Sequence, residues 1–142
     1  MKRLLHLHIP VVRLILAVIA AELVPLIILV AIVGAFGPSE PDLAAAQQFA
    51  ARMGRWVGPI GGAICAYLAA YGIGRIAPER ALSDGIIVGL CLAALDVIIL
   101  VASNAPFEWL YVWSNVGKLA AATLGGFVSR GQPKTDSPAP GA

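Results

Sequence analysis

The chain has 142 residues, 59% of them hydrophobic and only 13% charged, with a mean hydropathy of +0.85. Soluble domains carry about 25% charged residues, so the composition argues against a soluble protein and leaves room for one compact unit. A formal net charge of +2 is too small to suggest a nucleic-acid binder.

The first apolar run, 11–36, contains Arg13 near its start and Glu22 within. A spanning helix needs about 20 residues at about 1.5 Å each, and this run is long enough with some tilt. Its basic leader resembles a signal-peptide n-region. The apolar run exceeds the usual h-region of about 7–15 residues and ends in no clean cleavage site, so a retained first span is expected. Pro25 removes an N–H and sets its ring against the Ala21 carbonyl, which predicts a kink beside Glu22.

Residues 37–55 form a polar interruption. Ser39 followed by Asp42 resembles a capping box, and Pro41 suits a first helical turn. Leu43, Ala46, Phe49 and Met53 then recur at helical spacing, with Gln47, Gln48 and Arg52 elsewhere. The pattern predicts a short amphipathic helix on the membrane surface, or equally a capped connector without lipid contact. Further spans are predicted at 56–74, 85–103 and 107–127. The loop 75–84 carries Arg75, Glu79 and Arg80, and a tight turn passes through Asn104, Ala105 and Pro106. The polar, Pro- and Gly-rich segment 129–142 is expected to be a disordered cytoplasmic tail. The predicted fold is therefore all-α: an integral-membrane four-helix bundle over 1–128.

Basic residues set the expected orientation. With the N-terminus inside, the cytoplasmic side holds Lys2, Arg3, Arg13, Arg75, Arg80, Arg130 and Lys134, and the outside only Arg52 and Arg55. That bias follows the positive-inside rule and predicts an N-in/C-in topology. Trp56, Phe107, Trp109, Tyr111 and Trp113 fall toward the outer ends of spans two and four, as an aromatic belt would.

Helices in lipid associate through close backbone approach and polar pairing. Gly58, Gly62 and Ala66 recur every four residues in span two, beside Gly61, Cys65 and Ala69. Span three has Gly85, Gly89 and Ala93, and span four has Ala121 and Gly125. These rows predict tight packing, within the chain or between copies.

Glu22, Asp96 and Lys118 each lie near the middle of an apolar run. Facing lipid, each would cost roughly 2.5–3.5 kcal/mol, so they are expected to turn inward. Their offsets from the span midpoints put all three within roughly 5 Å of one plane. Tyr111, Ser114, Asn115 and Lys118 share a face through steps of three and four, which adds Ser114 and Asn115 to the expected polar cluster. Two carboxylates and one ammonium leave a net −1 that a dry interior tolerates poorly. One acid is therefore expected to pair with Lys118 and the other to hold a proton for much of the time.

No metal or cofactor site is expected. His6 and His8 point different ways on a helix. Cys65 and Cys91 have no second pair for zinc and read as small packing residues. Gly72-x-Gly74 lacks the strand, turn and third glycine of a dinucleotide motif. No nucleophile motif is present, so an enzyme is not expected.

The stretches GGAICAYLAAYGIGR (61–75), APERALSDGIIVGL (77–90) and KLAAATLGGFVSRG (118–131) together resemble a pattern found in small, uncharacterised four-helix bacterial membrane proteins. The resemblance implies a four-span fold in the cell inner membrane and carries no activity or ligand. Two function classes are left. One is a structural, regulatory or assembly component docking on another membrane protein through its small-residue faces. The other is a small proton-coupled transporter or exchanger built on the Glu/Asp/Lys cluster, working as a dimer. The expected partners are the lipid bilayer and either a second copy or another membrane protein, with no nucleic acid.

Overall fold

The computed structural model describes residues 2–38, 43–104 and 106–131. Four long helices account for nearly all of them: α1 (Lys2–Phe36), α2 (Leu43–Ile76), α3 (Ala81–Ala102) and α4 (Trp109–Arg130), with no strand among the described residues. A short 3-10 turn, Pro78–Arg80, leads directly into α3. Three helical segments, Val11–Phe36, Leu43–Ile76 and Pro78–Ala102, are long and apolar enough to cross a membrane. α4 spans a similar length, about 33 Å for 22 residues, but its composition is diluted by the small and polar residues of its inner face.

Local chemistry explains the joints. Ala77 precedes a proline and takes an extended φ of −131°, because the proline ring excludes the helical region for the residue before it. α3 ends at Ala102, and just beyond it Asn104 has a positive φ of 48°; asparagine tolerates this left-handed conformation better than most residues. Glu108 stands at the N-cap position of α4 with extended backbone and no side-chain cap. Its carbonyl accepts from the Tyr111 N–H at 3.0 Å.

The expected surface helix and second span are one continuous helix, α2, of 34 residues, about 51 Å long. The segment around Phe49 and Met53 therefore extends α2 and is no separate surface element. Gly54 is the only weak helix former between the two segments, a deficit of about 1 kcal/mol that neighbouring turns absorb. The proposed capping box at Ser39 and Asp42 lies outside the described residues. α1 also continues unbroken through Pro25. α4 runs to Arg130, so Ser129 belongs to the helix: it is buried, and its hydroxyl donates to the Gly126 carbonyl at 2.8 Å.

Contact pairs give the helix directions. Pro25 meets Gly61, Gly89 meets Leu119, and Gly125 meets the Tyr67–Tyr71 backbone. Successive helices therefore run in opposite directions, with α2 and α4 parallel. α2 and α3 touch each other and both outer helices, whereas α1 and α4 make no close backbone contact. The core is made of small side chains (Ala66, Ala70, Ala81, Ala122) with Val88 and Leu92, all fully buried. Large apolar residues instead face outward, Ile27 and Ile98 both at 62% exposure. This distribution suits a surround as apolar as the side chains themselves.

Glycines set the closest approaches. Gly125 and its neighbour Gly126 present opposite sides of α4: Gly125 rests on the α2 backbone at Tyr67, Gly126 on the α3 backbone at Ala81. Gly85 leaves room for the Ala122 carbonyl, and Gly89 for Leu119. Gly74 plays the same part toward Ser129 and Ala81, although the sequence rows did not single it out. Gly58, expected in a packing row, has nothing within 4 Å of where a Cβ would stand. A methyl group at Gly125 or Gly85 should lower stability by about 1–3 kcal/mol through overpacking. Gly72→Ala, at an open helical position, should instead gain about 0.5–1 kcal/mol. Chemical unfolding in mixed micelles would measure both; equal effects at the three sites would contradict the assigned contacts.

Candidate functional site

Glu22 on α1, Asp96 on α3 and Lys118 on α4 converge on a single ammonium group. Lys118 Nζ donates to Glu22 Oε1 at 2.6 Å and to Asp96 Oδ2 and Oδ1 at 2.9 and 3.1 Å. The lysine is 5% exposed and the two acid side chains about a fifth exposed, 19% and 21%. Both carboxylates contact the one ammonium group. An ammonium has three N–H donors, and here three hydrogen bonds use them. The lysine reaches from α4 to α1, between which there is no close backbone contact.

Gly62 makes this reach possible. A Cβ there would stand 2.5 Å from Lys118 Cε and 3.4 Å from Nζ, so the glycine is the notch in which the stem lies. Gly62 therefore serves the ion cluster rather than a helix–helix seam. Ala66, one turn on, is fully buried in the core as the row predicted.

The cluster forms the floor of a cleft of about 460 Å³. Every helix contributes the half of itself lying beyond the cluster: Pro25 and Leu29 from α1, Gly54 and Gly58 from α2, Ile99 and Ser103 from α3, Tyr111 and Ser114 from α4. Gly58 thus opens space instead of closing it. From Glu108 at the rim to Lys118 at the floor the chain rises about 15 Å, half of a hydrocarbon core of about 30 Å. The other half of each helix, where Gly74, Gly85, Gly125 and Gly126 bring backbones together, lines neither this cleft nor the recess beside it.

Ser114 lines the cleft one turn above Lys118. Asn115 does not. Its Nδ2 donates to the Tyr111 carbonyl of its own helix at 2.9 Å, and its Oδ1 is buried without a partner. Asn115 shares a face with Leu119 and Ala122, which pack on Gly89 and Gly85 of α3, and that turns it away from the cleft.

An ion pair at the rim was not anticipated. Arg55 donates to Glu108 Oε2 at 3.1 Å and Oε1 at 3.3 Å, tying α2 to the start of α4. Arg55, Glu108 and Leu110 line both the cleft and a neighbouring recess that includes Arg52 and Trp56, so the pair partitions the two spaces. Both side chains are well exposed, at 63% and 42%, and such pairs are worth about 0–1 kcal/mol. No sequence signal joins residues 53 apart. Around this rim stand Trp56, Phe107, Trp109 and Trp113, all more than 60% exposed.

Comparisons with protein families, curated proteins and solved structures find no match to this chain. The chemistry must therefore be read from the site itself: two acids and one amine, with net charge −1 when all are ionised, at the end of an open cleft. The described residues contain no cluster of metal-ligand type, and neither Cys65 nor Cys91 is in a disulfide.

Removing the amine should be far worse than removing all three charges. Lys118→Met leaves two facing carboxylates without a counter-ion and should destabilise the fold by about 3–5 kcal/mol. The triple variant Glu22→Gln, Asp96→Asn, Lys118→Met should recover most of that loss. Unfolding of the two variants side by side checks it, and a triple variant no better than the single one would sink the ion-cluster assignment.

Proposed function

We propose that this protein is a four-span inner-membrane protein, N-in/C-in, working as a small proton-coupled transporter or exchanger. The observation that carries the reading is the one-sided cleft. It runs from the aromatic-ringed end to the buried Glu22–Asp96–Lys118 cluster, while in the opposite half glycine contacts draw α2, α3 and α4 together. An open half, a polar centre and a sealed half form the layout of one state of an alternating-access device. Carboxylates inside a spanning segment are the groups such devices use to carry protons or cations.

The topology agrees with this reading. Arg75, Arg80 and Arg130 lie at the sealed end by helix direction, and Arg52 and Arg55 at the open end. The positive-inside bias then makes the sealed end cytoplasmic and opens the cleft outward. α4 is taken as the fourth span because it packs on both α2 and α3 and matches them in length at the cluster. The resemblance to small four-helix bacterial membrane proteins points to the same fold. The alternative, an assembly component, needs free small-residue faces. Of the small-residue rows, Gly85, Gly89 and Gly125 are occupied by contacts within the chain.

Two measurements test the reading. In a background lacking both native cysteines, Ser114→Cys should react with a membrane-impermeant thiol reagent from the outer face only, and Val88→Cys from neither. In proteoliposomes with an imposed pH gradient, a panel of amines, quaternary ammonium ions and metal cations should include a solute whose uptake moves protons. Asp96→Asn or Glu22→Gln should slow that movement at least tenfold while the protein still folds. Labelling of Ser114→Cys from both faces, or no proton-linked solute in the panel, would overturn it.

A further inference from the structure

We propose that the cleft binds an amphiphilic organic monocation, an ammonium head on an apolar body, with the head held by Glu22 and Asp96. The proposal deepens the transport reading, resting on it for the role of the cleft, and names the class of solute.

Charge decides the sign of the guest. With all three groups ionised, two carboxylates and one ammonium sum to −1, so one added positive charge makes the site neutral. An anion would face both carboxylates, and the only buried cation at the floor already directs three hydrogen bonds to them. The guest's ammonium enters by taking over part of the carboxylate contacts that Lys118 holds, so the lysine is a tethered occupant of the same site.

The walls decide the body of the guest. Above the acids the cleft is lined by Leu26, Leu29, Ile99 and Leu100, which give a bare inorganic ion nothing in exchange for its hydration shell. An apolar body gains by burial against them. Tyr111 lies on the same wall, and an aromatic face attracts an alkylated ammonium. A volume of about 460 Å³ falls within the range of roughly 300–1,000 Å³ found for pockets that take drug-sized molecules. Pro25 and Pro59 both line the space. Neither can donate to the carbonyl four residues earlier, which leaves two carbonyl oxygens, of Ala21 and Arg55, without their helical N–H donors.

Binding to the whole chain in nanodiscs of zwitterionic lipid tests the proposal, using benzyltrimethylammonium as probe and titration calorimetry as readout. Saturable binding of the cation is expected. Benzenesulfonate and benzyl alcohol, of similar size but negative or neutral, should bind at least tenfold more weakly. Glu22→Gln should weaken the cation at least tenfold. Leu100→Trp, which fills the cleft and leaves every charge in place, should do the same, so a folding defect at the cluster cannot by itself mimic the result. Equal binding of the three probes, no saturable binding of the cation, or undiminished binding in Leu100→Trp would overturn the proposal. Cation binding without transport would sink only the transport reading. Proton-linked movement of a metal ion in a protein that ignores the organic cation would sink only the solute class.

Discussion

One ammonium group holds two carboxylates from two other helices, and the arrangement of the rest follows from satisfying it. In hydrocarbon an unpaired ion costs several kcal/mol, so Glu22, Asp96 and Lys118 are constrained to meet. α1 and α4 make no close backbone contact, which leaves the lysine stem to join them through the notch at Gly62. Residues of both helices line the cleft beyond the cluster.

Below the cluster the constraint is steric. Glycines at 74, 85, 125 and 126 let backbones approach closely enough that a methyl group at any of them would collide with a neighbour. Above it, Gly54 and Gly58 face open space or a single leucine tip. The same residue type therefore closes one half and hollows the other. Much of the outer surface carries Leu, Ile and Val, whereas Glu22, Asp96 and Lys118 meet inside.

The rim adds a weak latch. Arg55 and Glu108 stand between the cleft and the recess beside Trp56. Because the pair is exposed, its strength is small and falls with salt.

Sequence alone determined the long apolar helices and how far along each of them the charged residues lie. Apolar runs of membrane length are legible by composition, and a constant rise per residue converts position into depth, so the meeting of Glu22, Asp96 and Lys118 was readable. Helix continuity was less so: α2 absorbed the supposed surface segment because a polar stretch without a breaker does not end a helix. Only the tertiary structure decided which face of each helix turned inward. Gly58 and Gly62 share a row with Ala66, yet one opens a cleft, one seats a lysine and one packs in the core. Asn115 lies three residues from Lys118 and still points elsewhere. Periodicity fixes which residues lie together on a helix but not what stands opposite them, and contacts such as Arg55 with Glu108 exist only once the helices have been placed side by side.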